Sequence, residues 1–138
     1  MSEIDFGKMS GLVPAIVQDA ASGEILMLGF VNGEAWEKTL NTGYVTFYSR
    51  TRNELWMKGE TSGNRLKLIS ASTDCDRDSL LIQVDVEGAG VVCHEGTRSC
   101  FTKKVYVPGI RGAREESGAL DRSRAGAPAP HLEPEPAP

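Results

Sequence analysis

The chain has 138 residues, 40% of them hydrophobic, which suits one domain able to bury a core without help from disulfides or a structural metal. Its formal net charge of -4 excludes a nucleic-acid binder that works through a broad basic field, though a local basic pocket for phosphates stays open. Three cysteines, an odd number, with no apolar leader after Met1 and no apolar run near the roughly 20 residues of a spanning helix, predict thiolate chemistry in a reducing compartment and a soluble, cytoplasmic protein with no membrane partner.

Residues 1–10 are polar and say little. Leu12 to Asp19 reads as a strand whose Pro14 confines it to an edge or first position, Ala21-Ser22-Gly23 as a turn, and Glu24 to Val31 as a second strand, so a hairpin is predicted. Asn32 can cap a helix running from Glu34 to Leu40, with Ala35, Trp36, Thr39 and Leu40 on one face, and Gly43 suits its left-handed end. Trp36 and Leu40 are expected to anchor this helix in the core.

Tyr44 to Ser49, aromatic and β-branched, is predicted to be a third strand. The stretch from Arg50 to Arg65 is basic, hydroxyl-rich and punctuated by glycine. It reads as a loop: an ordinary solvated turn, or one that offers N–H groups and cations to a phosphate. Leu66 to Ser72 is a further strand that leads into Asp74-Cys75-Asp76-Arg77-Asp78. If the extended backbone persists, alternation sets the three carboxylates on one face and Cys75 and Arg77 on the other. Three like charges on one face repel, so a hard cation among them is favoured over a bare acidic turn. An EF-hand is rejected, because Ser79 stands where that loop needs glycine and Leu80-Leu81-Ile82 belongs in a strand.

Ser79 to Val86 is the next strand, Gly88 to Gly90 a turn, and Val91-Val92-Cys93-His94 a returning strand in which Cys93 and His94 point apart. Glu95 to Ser99 then brings Cys100 back beside Cys93. Lys103 to Val107 is either a last strand or the start of the exit. Residues 110–138, rich in Pro and Ala, are expected to form a disordered tail after a domain of residues 1–109.

Three thiolates without an evident fourth protein ligand describe a zinc site with a position left for water; His94 is either the ligand that closes it or a neighbour that moves protons. The stretches Trp56-Met57-Lys58-Gly59-Glu60-Thr61-Ser62-Gly63-Asn64, Asp74 to Asp78 and Cys93-His94-Glu95-Gly96-Thr97-Arg98-Ser99-Cys100-Phe101, in this order and flanked by Leu12 to Asp19 and Val45 to Arg50, resemble the phosphoribosyl-AMP cyclohydrolase family of histidine biosynthesis over about residues 10–102. The resemblance implies a mainly β (α+β) fold, a β-rich pseudo-barrel capped by one helix, in an intertwined homodimer. It implies a hydrolase that breaks the N1–C6 bond of the adenine ring of 1-(5-phosphoribosyl)-AMP with zinc-activated water. Carried over residue by residue, it gives Cys75, Cys93 and Cys100 as zinc ligands drawn from two chains, and Asp74, Asp76 and Asp78 as magnesium ligands.

On that reading His94 is the catalytic proton carrier, and Trp56, Lys58, Glu60, Thr61, Ser62, Gly63, Asn64, Arg65 and Arg98 face the substrate. Lys58, Thr61, Ser62, Arg65 and Arg98 are candidates for the phosphates, and Arg50 and Arg52 lie on the surface or at the interface. Gly29 and Thr51 depart from the family pattern. Some family members are fused to a pyrophosphohydrolase, and the Pro/Ala-rich tail is too short to be that domain. Two rivals remain: a zinc-binding interaction module with a closed Cys3His site, which leaves the aspartates without a role, and a zinc deaminase, whose His-x-Glu and Pro-Cys-x-x-Cys signature is missing.

Overall fold

The structure, a computed structural model, describes residues 3–109. Its elements are β1 (Val13–Asp19), β2 (Ile25–Val31), α1 (Gly33–Thr42), β3 (Thr46–Ser49), β4 (Glu54–Met57), β5 (Leu66–Thr73) and β6 (Leu80–Val86). The fold is mainly β with one helix, as expected. Four strands form a mixed sheet in the order β2-β1-β6-β5, and β3 pairs with β4 in a second, two-stranded sheet. β1 runs antiparallel to β2 and parallel to β6, so the two hairpins β1–β2 and β5–β6 lie side by side in one sheet. A bridge between Tyr44 and Lys67 and the bond from Val45 N–H to Leu66 O (2.9 Å) connect β5 to the chain entering β3.

Alternation along β1 buries Val13, Ala15 and Val17, and β6 contributes Leu80, Ile82 and Val84 to the same core. Phe47, Val31, Val45, Leu66 and Ala35 close it from the other elements. Packing favours glycine at position 29: an added Cβ would lie 2.6 Å from the Phe47 ring, which is fully buried. β2 carries a bulge opposite Val17 and Gln18, and Leu26 is its extra residue. Leu26 and Met27 can therefore both be buried.

The helix forms as predicted. Asn32 Oδ1 accepts Ala35 N–H at 2.8 Å, and Gly43 ends it at φ 81°. Its buried residues are Ala35 and Thr39. The Thr39 hydroxyl donates to Ala35 O at 2.8 Å and accepts Thr46 N–H at 2.9 Å, which locks the helix to β3. Because this contact uses small side chains, Trp36 is only partly buried and Leu40, expected in the core, is 56% exposed.

Two further expectations are corrected, and one alternative is decided. The stretch from Arg50 to Arg65 is not all loop: Leu55-Trp56-Met57 supplies enough apolar surface for β4, after a turn with Asn53 at φ 52°. Val91 to His94 is not a strand, since Cys93 N–H bonds Thr97 O (3.0 Å) and the chain turns on itself. Lys103 to Val107 has no strand either, which leaves the exit reading. The compact unit that holds every element ends at Phe101, and Thr102 begins a second unit. The expected tail, residues 110–138, lies outside the described residues.

Candidate active site

The aspartate row reaches its geometry by a different route from the one alternation predicts. β5 ends at Thr73, and residues 74–79 form the turn of the β5–β6 hairpin. Arg77 takes φ 63°, Asp78 N–H donates to Asp74 Oδ1 (3.0 Å), and the Thr73 hydroxyl donates to Ser79 O (2.8 Å). The turn gathers carboxylate oxygens of Asp74, Asp76 and Asp78 within 4.8 Å of one another. An all-oxygen set of this kind fits a hard cation. Hydrogen bonds from Ser79, then Asp78, hold Asp74 below the usual carboxylate range.

The N-terminal lead-in, which sequence reasoning passed over, bears on this turn. Asp5 N–H donates to Arg77 O at 2.6 Å, and Lys8 Nζ donates to Asp76 O at 2.8 Å while lying 3.7 Å from Asp78. Lysine is thus the chain's own cation at the cluster. Its only sequence signal was one positive charge in a segment without periodicity.

Cys75 sits on the same turn, exposed, and its thiol donates to Asp76 Oδ1 at 2.9 Å. That hydrogen bond and the charge of Asp76 raise its pKa, so without a metal the thiol keeps its proton. It does not gather with the other two cysteines: among the described residues, Asp74, Asp76 and Asp78 are the group of three metal-ligating side chains that meet within one chain.

Cys93 and Cys100 do meet. Residues 93–100 form a strap whose first turn closes through Gly96 N–H to Cys93 O (3.0 Å). The strap then docks on β2, where Cys100 N–H donates to the carbonyl of Leu26, the bulge residue, at 2.8 Å, and the Ser99 hydroxyl donates to Ile25 O at 2.8 Å. The two thiols are close enough to perturb each other, and their pKa values shift in opposite directions. Glu95 N–H, 3.5 Å from the Cys93 sulfur, favours its thiolate. Packing around the Cys100 sulfur, although the residue as a whole is open to solvent, pushes its pKa up to about 11, and Cys93 adds to the effect. Adjacent thiolates ionise together only beside a cation, and soft sulfur suits zinc.

Lys58 is near enough for its charge to oppose that rise at Cys100, so the Lys58 to Arg65 segment and the strap share one region. Lys58 Nζ also lies 5.6 Å from the centre of the Trp56 ring. Trp56 itself packs on Phe47, centroids 5.1 Å apart, and its shielded indole N–H has no acceptor among the described residues. Gly59 (φ 81°) is required at its position, because a Cβ there would run into the backbone of Asn64 and Arg65. Asn64 Oδ1 accepts Ala89 N–H at 2.8 Å, which pins the segment to the turn after β6. Glu60, Thr61, Ser62 and Gly63 are left exposed at its tip. Arg65 lies over the Tyr44 ring at 5.0 Å. His94 is exposed at the first turn of the strap. Arg98, by contrast, is engaged: it pairs with Asp19 (2.9 Å) and Glu24 (3.0 Å) and donates to Gly90 O (3.0 Å).

The model of one protein family, phosphoribosyl-AMP cyclohydrolase, matches residues 27–102, a span that holds the exposed loop, the aspartate turn and the strap. The phosphoribosyl-AMP cyclohydrolases of Solibacter usitatus and Desulfatibacillum aliphaticivorans are 53% and 56% identical to this chain over 102 and 105 residues, which is 74% and 76% of it and 80% and 83% of theirs. The chain belongs to the phosphoribosyl-AMP cyclohydrolase family. It is also 59% identical, over 106 residues, to the histidine biosynthesis bifunctional protein of Bacteroides thetaiotaomicron, matching 51% of that protein's length. The chain thus spans about half the length of its bifunctional relatives and most of the length of those named only for the cyclohydrolase.

Within one chain of this family, then, the candidate site residues fall into two groups. One is a carboxylate turn that carries a lone thiol. The other is a strap with two thiols beside a lysine. Among the described residues, no helix is long and apolar enough to cross a membrane.

Proposed function

We infer that this chain hydrolyses 1-(5-phosphoribosyl)-AMP in histidine biosynthesis, adding water at C6 of the adenine ring and breaking the N1–C6 bond. The observation that carries this reading is the family match across residues 27–102, which contains every residue of both groups. Cys93 and Cys100 of one protomer would hold zinc together with Cys75 of its partner, in a cytoplasmic homodimer. The isolation of Cys75 within one chain supports that division. Bound zinc supplies Lewis acidity that makes water a competent nucleophile near neutral pH.

The protein's own residues do the rest. His94, on the strap next to a ligand and open to solvent, takes a proton from the attacking water and returns one to N1 as the ring opens. Asp74, Asp76 and Asp78 would hold magnesium, and its charge would help seat an anionic nucleotide. Lys58 and Arg65, with the Thr61 and Ser62 hydroxyls at the exposed tip, receive the phosphates. Trp56, Glu60, Gly63 and Asn64 shape that segment. Arg98, bound to two carboxylates, is withdrawn from the phosphate set.

The test is phosphoribosyl-AMP turnover and zinc content on one preparation, before and after a chelator strong enough to strip zinc. Turnover that disappears with zinc and returns with it is expected. A folded, zinc-loaded protein without turnover under any metal condition contradicts the assignment. His94→Ala is expected to retain zinc and fold but lose most activity; loss of zinc instead would make His94 a ligand of a closed structural site.

A further inference from the structure

The strap that carries Cys93 and Cys100 is fastened to the β1–β2 hairpin by a charge cluster that the proposed chemistry does not use. Asp19, the last residue of β1, is 6% exposed. Its Oδ1 lies 2.9 Å from Arg98 Nη2, and its Oδ2 accepts Ser22 N–H at 2.8 Å. The same guanidinium reaches Glu24 Oε1 through Nε (3.0 Å) and the carbonyl of Gly90 through Nη1 (3.0 Å). One planar fork therefore ties together the end of β1, the residue before β2 and the turn that feeds the strap. Arg98 stands two residues before Cys100, and the next two links in the chain, Ser99 and Cys100, bond Ile25 O and Leu26 O.

A buried carboxylate demands a partner, and a guanidinium's donors lie in a fixed plane, so this pair restricts the strap more than a flexible surface ion pair could. We propose that Asp19 is a positioning residue: acting through Arg98, it sets where Cys100 lies against Cys93, and with it the capacity of the thiol pair to hold a soft metal ion. This rests on the reading of Cys93 and Cys100 as zinc ligands, and it gives Arg98 a role in place of phosphate binding. Asp19 is held by Arg98 and Ser22, so its effect would reach the thiols through the geometry of the strap.

The test measures Zn2+ affinity by chelator competition, and the thiolate-to-metal charge-transfer spectrum with Co2+, on the full chain and on Asp19→Asn, Arg98→Met, their double variant and Cys100→Ser. Circular dichroism establishes that each is folded. Asp19→Asn and Arg98→Met are each expected to weaken Zn2+ binding about 10–100-fold, as losing outer support of a metal ligand typically does, and to alter the cobalt spectrum. The double variant should be no weaker than the worse single, because both act through one contact. Wild-type affinity and spectrum in both single variants, with binding lost in Cys100→Ser, would overturn the proposal and leave the ligand reading standing. Additive losses would also overturn it. Equal binding by wild type and Cys100→Ser would remove the ligand reading itself. If Asp19→Asn does not fold, Glu24→Gln loosens the same guanidinium from an exposed side chain; a loss of a few-fold is expected, and no change would count against the proposal.

Discussion

At the scale of single residues, position 29 shows how packing selects a side chain that local propensity disfavours. Glycine weakens a strand, yet the Phe47 ring occupies the space a Cβ would take. Gly29→Ala should cost about 1–3 kcal/mol of stability by overpacking, read from the denaturant midpoint. Asp19 makes a pH-dependent prediction. Hydrogen bonds from Ser22, and after them the charge of Arg98, hold its carboxyl below the ordinary value of 3.8 despite the opposing cost of burial. A carboxyl with a depressed folded pKa contributes stability above its unfolded pKa and loses it as pH falls through the folded value. Asp19→Asn should therefore be less stable than wild type at neutral pH, and the gap should narrow below pH 3.8, as measured by unfolding across an acid series.

At the scale of elements, the helix and most strands were legible because period and caps agree with burial. Asn32, Gly43 and the alternation of β1 all say locally what the fold does globally. β4 was missed because three apolar residues sit inside a polar run, too short a signal for periodicity. The returning strand at Val91 to His94 fails for a different reason: the Cys93 to Thr97 bond turns the backbone, and the bulge on β2 then offers the carbonyl that receives Cys100. The aspartates show a correct clustering reached through a wrong conformation, since a hairpin turn gathers them where a strand face was expected. Lys8 at that turn was not legible, because its contact spans from residue 8 to residue 76. Its ammonium competes with any cation that enters. Lys8→Met should thus bind Mg2+ up to about five-fold more tightly by calorimetry, an effect limited by its exposure and reduced by salt.

At the scale of the whole molecule, the single chain leaves apolar surface uncovered: Ile16, Leu28, Leu40 and Ile69 are each more than a third exposed. Ile16 and Leu28 face each other across β1 and β2, an exposed apolar patch of the kind that the proposed homodimer would cover. On the proposed zinc reading the thiols point the same way, because the lone thiol on the aspartate turn and the thiol pair on the strap would each be too few for zinc. The residues proposed as ligands stand out in the sequence by type and spacing; that Cys75 lies apart from the Cys93 and Cys100 pair within one chain does not, since separation in space leaves no trace in sequence.

The most direct measurement is therefore subunit mixing. Cys75→Ala and Cys93→Ala, each inactive alone, are unfolded, combined in equal amounts and refolded with zinc, and phosphoribosyl-AMP turnover is measured. If the site takes ligands from two protomers, each mixed dimer has one intact site, and the mixture should regain roughly a quarter of wild-type activity by random pairing in a two-fold dimer. A mixture as inactive as its parents, with dimers and zinc-dependent wild-type activity recovered in the same protocol, would show that the zinc site does not join the thiols of two chains.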